Sequence, residues 1–122
     1  MKKKDAKIVI LEDEIASQKI LALLLNNAVY ANIKVFGSHG PGLEFLRANK
    51  ADLIISDVRM LGIDGAVGAR KIRQLTEAPI IFYSNMPEEY LEKQMTQIRG
   101  TTYIAKAQGP DKLLNEIALR LN

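Results

Sequence analysis

Polar residues stand where four apolar runs stop, and their types together could move a phosphoryl group. Glu12 and Asp13 follow the run 7–11, Asp57 closes 53–57, Ser84 closes 79–84 and Lys106 follows 101–105. A desolvated carboxylate is costly unless something pairs with it, so an acid ending a run as apolar as Leu53-Ile54-Ile55 needs a physical reason. Three carboxylates in one crevice repel, and stay ionised only beside a cation or with shifted pKa values. A hard divalent ion with oxygen ligands answers that need. Two or three acids that leave room for water and a phosphate oxygen suit Mg²⁺ better than an all-protein Ca²⁺ cage. A carboxylate beside Mg²⁺ and an ammonium can act as a nucleophile toward phosphorus, and phosphoryl transfer leaves the protein mostly positioning and charge neutralisation. On this chemistry Asp57 is the candidate phospho-acceptor. Glu12, Asp13, Asp57 and the backbone carbonyl of Arg59 are the candidate metal ligands. Lys106 would neutralise one phosphoryl oxygen and the Ser84 hydroxyl would hydrogen-bond another.

Elements that bring these residues together can be read in order. The runs 7–11, 53–57, 79–84 and 101–105 are rich in apolar and β-branched residues and read as strands, the first three buried on both faces. The run 33–36 partly alternates and suits an edge strand. Between them lie helical patterns. Ile15, Ile20, Leu21, Leu24 and Ala28 share one spacing, followed by a short helix around 43–49 and another over about 66–76 with Ala69, Ile72 and Leu75 inward. A fourth helix opens at Pro87-Glu88-Glu89, with acids at the positive end of its dipole and Leu91, Met95 and Ile98 inward, and ends at Gly100. After Gly109-Pro110 a fifth places Leu113, Leu114, Ile117, Ala118 and Leu121 on one face. Five strands alternating with five helices predict an α/β fold with a doubly wound, five-stranded parallel sheet of flavodoxin-like order 2-1-3-4-5. Ligands of such sheets bind at the carboxyl ends of the strands, where the winding reverses. The polar residues above would all lie there.

Composition narrows the classes. The 122 residues form one expected domain, 1–122, with 1–5 as a basic tail, and no repeat or linker interrupts it. Hydrophobic residues make up 48% and charged residues 25%, which argues against disorder. Without cysteine there are no disulfides or thiolate sites. The net charge of +3 owes much to Lys2, Lys3 and Lys4, so the remainder offers no basic stripe for nucleic acid. No apolar run reaches the roughly 18 residues of a membrane span and no signal peptide is recognisable, so the cytoplasm is expected. His39, the sole histidine, sits in a Gly/Pro-rich stretch and is expected exposed, in a structural role. Glu14 reads as a first-turn residue and Asp64 as a turn former with Gly65.

The acidic pair after the first strand, the Asp ending the third, Gly62-x-Asp64-Gly65, the Ser ending the fourth and the Lys ending the fifth occur in order across essentially the whole chain. With these residues the sequence resembles the receiver domain of two-component response regulators, of the kind seen in single-domain chemotaxis regulators. The resemblance implies phosphorylation of Asp57 by a histidine kinase or phosphotransfer protein. It also implies a switch in which Ser84 moves toward the phosphoryl group and an aromatic, here Tyr103, turns inward. The chain departs from the family where Ala107 follows the lysine in place of Pro, where Asn85 replaces a small residue, and where Leu61 takes a loop position usually held by Pro. An X-Ala bond will be trans, so the loop holding Lys106 must be shaped differently. Arg59 and Met86 occupy flanking positions that vary in the family and would tune the lifetime of the phosphorylated state.

The reading is therefore a Mg²⁺-dependent, self-phosphorylating switch rather than a metabolic enzyme. Its expected partner surface comprises the helix opening at Pro87, the strand 101–105 and the last helix, with Tyr90 a candidate contact, and it acts as a monomer or a phosphorylation-dependent dimer. Because the chain stops after the fifth helix, it is expected to be a stand-alone receiver or the N-terminal domain of a longer protein, whose output domain would then be missing. The alternative on the same fold is a degenerate receiver, a protein-interaction domain independent of phosphorylation. Other enzymes on similar sheets fail on their motifs. Asp57-Val58-Arg59 is not the Asp-x-Asp of a dehalogenase-type phosphatase, Glu12-Asp13-Glu14 is not a flavodoxin phosphate loop, and no Gly-x-x-x-x-Gly-Lys-Ser/Thr is present.

Overall fold

In the computed structural model the described residues are 1–60, 63–85, 89, 93–94 and 97–122, without the side chains at 59, 60 and 63–65. The apolar runs pair as parallel strands. After a single 3₁₀ turn at Lys3–Asp5 come β1 (Lys7–Leu11), α1 (Ile15–Asn27), β2 (Asn32–Phe36), α2 (His39–Ala48) and β3 (Leu53–Ser56). A two-residue antiparallel ladder follows, β4 (Arg59–Met60) with β5 (Ile63–Asp64), then α3 (Gly65–Leu75), β6 (Ile80–Ser84), β7 (Thr101–Ala105) and a C-terminal helix (Pro110–Leu121). The main sheet has the order β2-β1-β3-β6-β7, which is the expected 2-1-3-4-5 once the small ladder is set aside. Four helices are described. Of the remaining expected helix, Pro87, Glu88, Tyr90, Leu91 and Met95 lie outside the described residues, as do Leu61 and Met86 and the side chain of Asp64.

Alternation along each strand divides the core. Val9, Leu11, Ile54 and Phe82 pack on one face against Leu46 of α2 and Ala69 and Ile72 of α3. Ile8, Ile10, Ile55, Ile81 and Ile104 pack on the other against Leu21 and Leu25 of α1 and Leu113 and Ile117 of the C-terminal helix. Full burial of each such side chain contributes about 1.5–3 kcal/mol, so both layers press on the central strands β1, β3 and β6. The edge strand β2 is the wet one, with Lys34 and Val35 exposed.

Two expectations need correction. In α1 Leu21 is buried as expected and Leu24 and Ala28 pack half-buried against the same layer, but Leu25 is buried with them while Ile15 and Ile20 are exposed. The run Leu21–Leu25 is apolar all round, so the phase of the stripe was set by packing and not by pattern. His39 is not exposed. It is the first residue of α2, only 2% accessible, and rests on Gly68 of α3 so closely that a Cβ there would lie 2.3 Å from a ring carbon. The stretch Gly40-Pro41-Gly42 reads as a loop, but proline is tolerated in a helix's first turn because the N–H it lacks would be unpaired anyway, and α2 begins four residues early.

Arg73 was not anticipated. Its buried guanidinium donates to the carbonyls of Thr76 (2.9 Å), Ala78 (2.7 Å) and Arg99 (3.1 Å), tying the end of α3 to the starts of β6 and β7. At the opposite end of the sequence Lys3 stands 5.4 Å from the ring centroid of buried Tyr30, so the basic leader is partly anchored.

Neither ring nitrogen of His39 has a hydrogen-bond partner among the described residues. Burial, helped by the charge of Lys71, holds its pKa below 6.5. The unfolded chain therefore binds this proton more readily, and the stability contributed by neutral His39 is complete above about pH 6.5 and lost as pH falls below it. Denaturant melts should show stability falling from about pH 7.5 to 5.5 more steeply in the native chain than in His39→Leu; equal slopes would contradict the burial of a neutral ring. A second strain sits at Val29, exposed just after α1 with φ 73°. A β-branched residue there costs about 1–2 kcal/mol, so Val29→Gly should raise unfolding free energy by about 1 kcal/mol.

Candidate functional site

Backbone hydrogen bonds that run one residue past the strands set the site. The Glu12 N–H donates to the Phe36 carbonyl (3.0 Å), extending the β1–β2 ladder. The Asp57 N–H donates to the Leu11 carbonyl (3.0 Å), extending β1–β3. Glu12 and Asp57 are thereby fixed side by side at the carboxyl edge, where the winding reverses. One oxygen from each of Glu12, Asp13 and Asp57 lies within 4.8 Å of the others. Glu12 is 2% exposed, Asp57 half-buried and Asp13 open to solvent. Around them is a cleft of about 390 Å³ lined by Glu12, Asp13, Glu14, Ser17, Asp57, Ser84, Asn85 and Lys106.

Glu12 and Asp57 are both tethered. One Asp57 oxygen accepts the Val58 N–H (2.7 Å). Glu12 accepts the Glu14 N–H (3.2 Å), and its second oxygen meets the Lys106 ammonium at 3.3 Å. Burial pushes the Glu12 carboxyl above its ordinary range. The Asp57 charge pushes it the same way, while the Glu14 N–H and Lys106 pull it back. A neutralising cation would remove much of that conflict.

The structure thus brings the sequence-predicted residues Glu12, Asp13, Asp57, Ser84 and Lys106 to one cleft. The Arg59 backbone lies just beyond, paired with Asp64 in the small ladder. Tyr103 is on β7, paired with Phe82 and half-buried against the α2–α3 core layer. Glu14 immediately precedes α1, and its carboxylate accepts the Ser17 hydroxyl (3.0 Å).

Sequence reasoning missed three neighbours. Gln18 donates its amide to the Glu12 carbonyl at 2.6 Å and holds the acidic loop from α1. Ser17 accepts a long hydrogen bond from Lys106 (3.5 Å), and the Tyr83 ring centroid lies 5.9 Å from the same ammonium. A helix-first-turn Ser or Gln and a strand Tyr carry no local signal of such roles.

The loop after β7 shows how the chain manages without the family's Pro. Lys106–Gln108 forms one 3₁₀ turn, and every described peptide bond, including Lys106–Ala107, is trans. The turn is closed by the Gln108 side chain, which accepts the Ala105 N–H (2.9 Å), and by Gly109 N–H donating to the Lys106 carbonyl (3.1 Å). Gly109 has φ 93° and ψ 161°, a region that essentially only glycine visits.

A parallel sheet wound on both faces, with an acidic crevice and a lysine at its switch point, defines the class of chemotaxis-regulator-like receivers. The family model "Response regulator receiver domain" matches residues 8–118, and the chain belongs to that family. Among curated proteins it is 30% identical to the transcriptional regulatory protein YvrH of Bacillus subtilis over 117 residues, covering 96% of this chain and 49% of that one. It is 29% identical to protein MrkE of Klebsiella pneumoniae, over 89% of this chain and 40% of that one. The chain thus spans about half the length of the curated relatives it matches. Among solved structures, chemotaxis protein CheY4 of Vibrio cholerae superposes with a TM-score of 0.84 at 22% identity, covering 95% of this chain and 98% of that one, which shows the shared fold. Membership places the chain in two-component, phosphorylation-based signal transduction. No helix among the described residues is long and apolar enough to cross a membrane.

Gly109→Ala forces the loop behind Lys106 out of its conformation and should cost about 1–3 kcal/mol in unfolding free energy. A melt identical to that of the native chain would show that the loop is not held by this residue.

Proposed function

We propose that Asp57 accepts a phosphoryl group from a histidine kinase or phosphotransfer protein, and that Mg²⁺ is held for this step by Glu12, Asp13, Asp57 and the backbone carbonyl of Arg59. The observation that carries the reading is the gathering of three carboxylate oxygens within 4.8 Å in a cleft that also presents Lys106 and Ser84. An all-oxygen donor set, open on the Asp13 side to water, suits a hard ion that keeps part of its hydration shell. When bound, Mg²⁺ would offset the charge of the carboxylates and of the phosphoryl oxygens.

The chain's own groups do the rest. One Asp57 oxygen is engaged by the Val58 N–H, which fixes the carboxylate and leaves the second oxygen to face the donor. That oxygen forms the new bond to phosphorus as the bond to the donor's leaving group breaks, and the leaving group departs with the electron pair. Lys106 neutralises a phosphoryl oxygen and Ser84 donates its hydroxyl to another. Drawing Ser84 toward Asp57 would free space near the strand ends into which Tyr103, one strand away on β7, turns from its half-buried position. The changed surface on β7, the C-terminal helix and the helix expected from the sequence between β6 and β7 would be read by a partner protein or an output domain. We read 1–122 as one receiver domain working in the cytoplasm, without direct nucleic-acid contact.

Incubation with a small-molecule phosphodonor and Mg²⁺ should add one phosphate by intact mass. The adduct should be absent in Asp57→Asn and lost when Mg²⁺ is chelated. An adduct that persists in Asp57→Asn would remove Asp57 from the role, and one that forms equally without Mg²⁺ would remove the metal.

A further inference from the structure

Lys106 does not reach for Asp57 in this structure. Among the described residues its one carboxylate partner is Glu12, at 3.3 Å. Two neutral groups complete its surroundings. The first is Ser17 Oγ at 3.5 Å, on the first turn of α1, and the second is the Tyr83 ring on β6, with its centroid at 5.9 Å. The Ser17 hydroxyl spends its one proton on Glu14 Oε1 (3.0 Å), so its lone pairs are left to face the ammonium. Tyr83 packs on the α1 side of the sheet, and Ser17 belongs to α1 itself. These two contacts hold the ammonium toward α1.

We infer that Ser17 and Tyr83 are positioning residues forming a resting perch for Lys106, and that this perch limits how far Asp57 is phosphorylated. The inference rests on the phospho-acceptor reading of Asp57 and adds regulation to the same site. For Lys106 to meet a phosphoryl oxygen on Asp57 it must leave these contacts. The Glu12 contact weakens whenever a cation takes over that carboxylate. Hydroxyl and ring are uncharged, so they keep their hold whether or not a cation is present. Contacts made only in the unphosphorylated state shift the balance toward that state by their own differential strength and no more. A single hydrogen bond to a charged group, or one cation–ring contact, corresponds to about a two- to tenfold change in such a balance.

The test measures the ratio of phosphorylated to unphosphorylated chain at steady state with acetyl phosphate and saturating Mg²⁺, and its decay once the donor is removed. Ser17→Ala should raise the ratio about two- to tenfold, and Ser17→Thr, which keeps the hydroxyl, should return it to the native value. Tyr83→Leu should raise it likewise, while Tyr83→Phe, which keeps the ring, should not. In a Lys106→Met background Ser17→Ala should change nothing further, which a merely structural role for Ser17 would not produce. Unchanged or lowered ratios in both Ser17→Ala and Tyr83→Leu, or the same gain with and without Lys106, would overturn this inference while leaving Asp57 as acceptor. A native chain that takes no phosphate on Asp57 would overturn both.

Discussion

Like charges pressed together at the edge of a rigid sheet are the constraint from which the rest of the molecule follows. Glu12 and Asp57 cannot drift apart, because each backbone N–H continues a ladder bond of the strand it ends, to Phe36 and Leu11. Those strands are in turn clamped between two apolar layers. The protein spends part of its packing energy on holding a buried carboxylate, Glu12, beside a second acid. Local partners soften the repulsion without removing it. The Glu14 N–H and the Lys106 ammonium both favour the charged form, yet burial and Asp57 still win and the carboxyl remains shifted upward. Functional sites characteristically keep such a conflict, since a fully satisfied cluster would have little affinity left for a ligand.

Much of this was legible in the residues. The strand runs, their order and the polar residues at their ends follow from period, length and the rule that ligand sites of wound sheets lie at carboxyl ends. Residues on buried strands were placed well because two-faced burial leaves little choice; all of β3 is buried. What failed did so for physical reasons. In α1 the run Leu21–Leu25 offers several equivalent apolar stripes, and only the sheet beneath selects Leu21 and Leu25. Around His39 the Gly and Pro residues signalled a loop, but their position at a helix start made them harmless, and the absence of a side chain at Gly68 opened the space the ring fills. Ser17, Tyr83 and Arg73 act through contacts distant in sequence, such as Arg73 to Arg99. No local pattern encodes those.

The departures from the family pattern fall in the segments that surround the acids rather than among the acids themselves. At Ala107 a trans peptide is combined with a 3₁₀ turn, a Gln108 side-chain bond and Gly109 in a glycine-only conformation to bring Lys106 to the cleft. Asn85, just after β6, is exposed and lines the same cleft as Asp57. The acids and the lysine of the site are thus kept while the loops around them differ.

Crystals soaked in Mn²⁺, a Mg²⁺ surrogate with an anomalous signal, test the central claim most directly. The account predicts a single strong anomalous peak among Glu12, Asp13 and Asp57, within bonding distance of oxygens from at least two of them and about 2.0–2.3 Å away. No peak in that crevice at millimolar Mn²⁺, or a peak elsewhere on the molecule only, would contradict it.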